Sequence, residues 1–116
     1  MDIDEIVQKI GLKLLELGAT NVQLLEIESK SKVAKRLVVC TASNNQNVKK
    51  VAYDIKDTFK NEITCLHTDG IFKGDWVVLD FKDILVNIFT KETRAKFNIE
   101  KLYKDAKNTI VMSNKK

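Results

Sequence analysis

Proline is absent from this 116-residue chain, histidine occurs once and cysteine only twice. The missing proline, beside abundant Lys, Asn and Ile, reads as nucleotide composition rather than as a functional signal. One His and two Cys without CxxC or HxxxH spacing argue against a structural zinc site. Cys40 and Cys65 lie far apart within apolar runs. With no export signal beside them, they read as reduced core residues rather than a disulfide. No apolar run approaches the roughly 18–20 residues that span a bilayer. The N-terminal stretch MDIDEIVQ is acidic and lacks an apolar h-region, so a cytoplasmic protein with no membrane partner is expected.

What is present is a globular balance, with 44% hydrophobic and 31% charged residues. The length fits one core, so residues 1–110 are expected to form a single domain and 111–116 a short basic tail. The net charge of +4 and the pI near 9.0 favour encounters with nucleic acid or ribonucleoprotein. The lysines are scattered, however, and a solvated lysine-rich surface is the plainer reading.

Helical spacing of Ile3, Ile6, Val7, Ile10, Leu14 and Leu17 predicts a first helix, with Asp2 as cap and Gly18 as stop. Strands follow at Val22–Glu28 and Lys35–Thr41. Ser43, with Gln46 three residues on, starts a second helix whose stripe is Val48, Val51, Ala52, Ile55 and Phe59. A third strand is expected at Ile63–His67. Then Trp76–Phe81 and Ile84–Phe89 pair as a tight hairpin about Lys82 and Asp83. A last helix starts near Thr93, with Ile99, Leu102, Tyr103 and Ala106 on one face. The order αββαβββα implies an α/β (α+β) domain, a mixed β-sheet of about five strands with helices packed on it.

The hairpin is the most informative segment. Side chains alternate along a strand, so pairing Phe81 with Ile84 puts Val77, Leu79, Phe81, Ile84, Val86 and Ile88 on one wholly apolar face. The opposite face holds Trp76, Val78, Asp80, Leu85, Asn87 and Phe89. Aromatics beside a few polar groups fit a binding patch. The alternative is that the last helix covers this face.

Catalytic signals are weak. Glu26 and Glu28 point to one side of a strand, as metal-binding carboxylates of nucleotidyltransferases do, but no Gly-Ser turn precedes them. His67 and Asp69 could form a base and its orienting partner, yet no Ser or Cys nucleophile lies at a recognisable elbow. Thr41-Ala42-Ser43-Asn44 opens a helix without the glycines of a nucleotide loop. No cofactor is expected, and the chain reads as no enzyme.

Gly74-Asp75-Trp76-Val77-Val78-Leu79-Asp80-Phe81, Ile84-Leu85-Val86-Asn87-Ile88-Phe89 and Arg94-Ala95-Lys96-Phe97-Asn98-Ile99-Glu100-Lys101-Leu102-Tyr103 resemble the ribosomal silencing factor (RsfS, or Iojap) family. Asp69-Gly70 resembles its Glu-Gly, and Val38-Val39-Cys40-Thr41-Ala42-Ser43 its V-I-A-T-G-T segment. The likeness runs over roughly residues 3–107. Asn87 stands where the family usually has His, Lys82 replaces the turn glycine, Lys35 and Arg36 replace an Asp and an aromatic, and Tyr103 replaces Trp.

The resemblance implies a nucleotidyltransferase-like fold without catalytic residues. It implies binding to the fourteenth protein of the large ribosomal subunit, which blocks joining of the small subunit and represses translation. Trp76 and Phe89 would then be apolar anchors, Asp69 and Asp80 would complement a basic surface, and Asn87 would supply a hydrogen bond. Arg94 and Phe97 would extend the patch or brace it. Large-subunit assembly, RNA binding with at most peripheral contact in the silencing case, and a metal-dependent nucleotidyltransferase stand as alternatives. Whether the free protein forms a homodimer through the same patch stays open.

Overall fold

The structure is a computed structural model that describes residues 2–27, 34–99, 101 and 109–112. Its elements are α1 (Ile3–Glu16), β1 (Thr20–Glu26), β2 (Arg36–Ala42), α2 (Asn45–Phe59), β3 (His67–Asp69), β4 (Trp76–Asp80), β5 (Ile84–Thr90), α3 (Lys91–Phe97) and β6 (Thr109–Met112). The six strands form one sheet in the order β3-β4-β5-β2-β1-β6. Only β2 and β5 run parallel; the other neighbours are antiparallel.

The α1 stripe forms as its spacing dictates, and Ile6, Val7, Ile10 and Leu14 are all buried. Asp2 caps the helix through the amide of Asp4. Gly18, at φ +91°, ends it with Ala19 N donating to Leu14 O at 2.9 Å, a left-handed turn that glycine adopts without steric cost. Helix α2 buries Val48, Val51, Ala52, Ile55 and Phe59. The two helices cover the face that carries Val77, Leu79, Val86 and Ile88, and with Val22, Leu24 and Val38 they build the main core. Each fully buried Ile or Leu there contributes roughly 1.5–3 kcal/mol relative to exposure.

Several sequence expectations shift, and strand β1 runs Thr20–Glu26 where Val22–Glu28 is expected. The cap of α2 is Asn44, whose Oδ1 accepts from Asn47 N at 2.8 Å, rather than Ser43 with Gln46. Strand β2 extends to Ala42, which moves the turn along by one residue, and asparagine caps as well as serine. The third strand is His67–Asp69 rather than Ile63–His67. Ile63 N still bonds Phe59 O behind α2, and pairing with β4 begins only where Leu66 N meets Asp80 O at 2.7 Å. Helix α3 starts two residues early because Thr90 is its cap, and it ends at Phe97 against Asn98 in a left-handed conformation. Leu102, Tyr103 and Ala106 lie outside the described residues.

The sixth strand makes the sheet larger than the five strands expected. Strand β6 pairs Val111 with Gln23 and Ile110 with Leu24, so it takes in Val111 and Met112, at the start of the segment read as a tail. Its four residues are too short for the alternating pattern to stand out in sequence.

The hairpin forms in the expected register, with Trp76 opposite Phe89, Val78 opposite Asn87 and Asp80 opposite Leu85. Lys82 takes φ +77°, and Asp83 N donates to Phe81 O at 3.0 Å, the pattern of a strained γ-turn. Asp80 Oδ1 offsets part of that strain by accepting from Lys82 N at 2.8 Å.

Candidate docking face

The register places the far face of the sheet row by row. One row runs His67, Asp80, Leu85, Leu37, Leu25 and Thr109 from edge to edge. The next runs Asp69, Val78, Asn87, Val39, Gln23 and Val111. A third joins Trp76, Phe89 and Thr41. Its centre is a second small core of Leu25, Ile27, Ala34, Leu37, Val39 and Phe89, onto which Trp76, Leu85 and Ile99 pack. The β3–β4 side is open: His67 and Asp69 are exposed, and Trp76, Val78, Asp80 and Leu85 are half-buried.

This divides the expected site residues into two sets. Asp69, Trp76, Asp80 and Phe97 reach solvent, and Phe97 is 49% exposed. Phe89, at 0% exposure, together with Asn87 and Arg94, is buried. Phe89 is therefore no surface anchor in this structure. It stacks beneath Trp76 with ring centroids 5.0 Å apart, and Phe97 lies against the same indole at 5.0 Å.

Asn87 sits between the indole and the sheet. Its Oδ1 accepts from Trp76 Nε1 at 3.0 Å, and its Nδ2 donates to Val38 O at 3.5 Å. Arg94 fastens α3 to the sheet, with Nη1 donating to Asn21 O at 2.6 Å and Thr41 Oγ1 at 2.9 Å. The pair brace the patch from below. The sequence missed this division because alternation tells which face a residue is on, not what lies over it.

Cys40 lies on the helix-covered side of β2, fully buried. Burial pushes its thiol up to about 12, and the positive charge of Arg94 opposes that only in part. A thiol so placed is inert. Cys65 is free and half-buried, with Sγ 3.6 Å from Thr68 Oγ1.

Glu26 is half-buried and stands opposite Arg36 on the helix side of the sheet, in a cleft of about 350 Å3 lined also by Asp4, Gln8 and Ile110. Arg36 Nε in turn holds Asp4 Oδ1 at 2.9 Å. Glu28 lies outside the described residues. His67 Nε2 and Asp69 Oδ1 are 3.6 Å apart in the open. Among the described residues no group of three or more His, Cys, Asp or Glu side chains could hold a metal. None of the described helices is long and apolar enough to cross a membrane.

The fold is that of two solved bacterial proteins. A Chromobacterium violaceum structure superposes with a TM-score of 0.84 at 22% identity, covering 98% of this chain and 95% of its own. A Bacillus halodurans structure gives 0.79 at 24%, covering 94% and 99%. Both share the mixed α+β architecture. The family described as ribosomal silencing factor during starvation matches residues 1–116, and the chain belongs to it. Among relatives, the ribosomal silencing factor RsfS of Bacillus subtilis is 33% identical over 89 residues, 76% of this chain and 75% of that protein. The chloroplastic protein Iojap of Zea mays is 24% identical over 91 residues, 78% of this chain but 40% of the plant protein.

Proposed function

We propose that this protein docks on the large ribosomal subunit in the cytoplasm, through the open β3–β4 side of its sheet, and thereby blocks joining of the small subunit. The contact is the fourteenth protein of the large subunit, and the effect is repression of translation without chemistry. The observation that carries the proposal is the Trp76 platform. One indole is stacked on Phe89, flanked by Phe97 and hydrogen-bonded by Asn87, yet remains partly open to solvent on the sheet face that also carries Asp69 and Asp80. A rigid aromatic with little rotamer freedom left to lose is what a binding hot spot needs. The two carboxylates on that face favour a basic partner protein and disfavour an RNA backbone.

Asp69, Trp76, Asp80 and Phe97 make the direct contacts, while Phe89, Asn87 and Arg94 hold them in place. Cosedimentation with separated ribosomal subunits tests the proposal. Comigration with large subunits alone supports it, and comigration with neither subunit contradicts it. Comigration that leaves joining intact points instead to an assembly role.

A further inference from the structure

Phe72 is 92% exposed, the most open large apolar side chain among the described residues. It stands in the loop from β3 to β4, and that loop is tied down on every side. Gly74 N donates to Gly70 O at 2.9 Å, and Asn45 Nδ2 at the start of α2 donates to Lys73 O at 3.1 Å. Asp75 O accepts from Thr90 N at 3.0 Å, and Lys73 Nζ lies 3.4 Å from Asp75 Oδ2. Ile71, next to Phe72, packs on the main core. Gly70 and Gly74 both take positive φ, and a Cβ at Gly70 would collide with the carbonyl oxygen of Trp76.

A loop fixed at this many points presents Phe72 by construction. Leaving a phenylalanine in water forgoes the free energy of burying its ring, and nothing among the described residues recovers it. The conformational entropy that docking ordinarily costs has already been lost in folding.

We propose that Phe72 is an insertion residue, a preset knob that enters an apolar socket on the basic protein surface of the large subunit. The inference rests on the docking function proposed above and adds a second anchor to it. Charge and continuity select that occupant. The loop leads directly into Trp76, and Asp69 and Asp75 bracket Phe72 in the chain. The loop's one cation, Lys73, is paired with Asp75. The fitting socket is therefore apolar within and basic at its rim.

The test compares the wild type with Phe72→Ala and Trp76→Ala, using purified large subunits, fluorescence anisotropy of N-terminally labelled protein, and thermal melting. Phe72→Ala should weaken binding tenfold or more while its melting temperature stays at the wild-type value, because the ring supports nothing within the fold. Affinity within twofold of wild type, with Trp76→Ala still weakened, overturns the insertion role and leaves the docking face standing. Loss of self-association in ultracentrifugation without loss of subunit affinity puts the socket on a second copy and overturns the proposal. Phe72-dependent binding to large-subunit RNA stripped of protein does the same. If the wild type fails to bind large subunits, both the insertion role and the docking function fall.

Discussion

Trp76 Nε1 donates to Asn87 Oδ1 at 3.0 Å, across the β4–β5 hairpin, from a residue whose direct cross-strand partner is Phe89. The indole thus leans along the sheet over a buried amide instead of standing upright into solvent. One neighbour fixes its polar edge and another its face. The exposed part of the indole is held in place by two residues that are themselves buried, Asn87 and Phe89.

Separating anchor from brace gives the first prediction. Trp76→Ala should weaken large-subunit binding by about 2 kcal/mol, some thirty-fold, or more. Trp76→Phe keeps the stack on Phe89 but strands the Asn87 carbonyl, so it should lose less affinity and more stability. Titration with large subunits and thermal melting of both variants checks this; equal binding by all three proteins contradicts it.

Asn87→His should make stability depend on pH. To accept from the Trp76 indole the imidazole must be neutral, which depresses its folded-state pKa below the ordinary value near 6.5. The unfolded chain then binds the extra proton, so stability falls as pH drops below about 6.5. Melting between pH 5 and 8 should show the loss in Asn87→His and a flatter profile in the parent.

Arg94→Ala removes the guanidinium bonds to Asn21 O and Thr41 Oγ1 and should cost roughly 2–3 kcal/mol of folding stability. Arg94→Lys should recover little of it, since one ammonium cannot reproduce the planar fork. Urea unfolding of the pair provides the measurement.

Lys82→Gly should be stabilising. Lys82 sits at φ +77°, where a side chain costs roughly 1–2 kcal/mol and glycine does not, so a gain of about 1 kcal/mol is expected after the glycine's own entropy loss. A denaturation midpoint at or below the parent's counts against the strained turn.

Cys40 gives an alkaline prediction. Its thiol is pushed up to about 12 in the fold from an ordinary value of 9.0, so above pH 9 the unfolded chain releases a proton that the folded chain keeps. Fewer protons bound in the unfolded state means stability falls as pH rises from 9 towards 12. Cys40→Ala should show a shallower alkaline loss than the parent. Below pH 9, thiol reagents should label native Cys65 and spare Cys40.

Much of this was legible in the sequence, and the limits are physical. The helix stripes of α1 and α2 and the hairpin register follow from periodicity, because apolar positions at 3.6- and 2-residue spacing leave few alternatives. Trp76, Asp80, Asn87 and Phe89 do share one face of the sheet, as alternation along the hairpin requires, but Trp76 and Asp80 lie at opposite ends of β4. Periodicity could not say that Trp76 and Phe97 would close over Asn87 and Phe89. It could not place β6 either, since four residues gain strand character only from pairing with β1. Parallel pairing of β2 with β5, across α2 and two intervening strands, is likewise a long-range choice that local pattern does not record.

Charge at the rim sets one more expectation. Asp69→Asn with Asp80→Asn should slow association more than it speeds dissociation, and flatten the salt dependence of the on-rate. Stopped-flow binding at two ionic strengths measures it.

The most direct test of the central claim is subunit joining itself, followed by light scattering as small and large subunits are mixed with this protein. With the wild type, joining should fall in proportion to occupancy of the large subunit, and Trp76→Ala should restore it. Joining that proceeds unhindered on large subunits saturated with wild-type protein would contradict steric silencing.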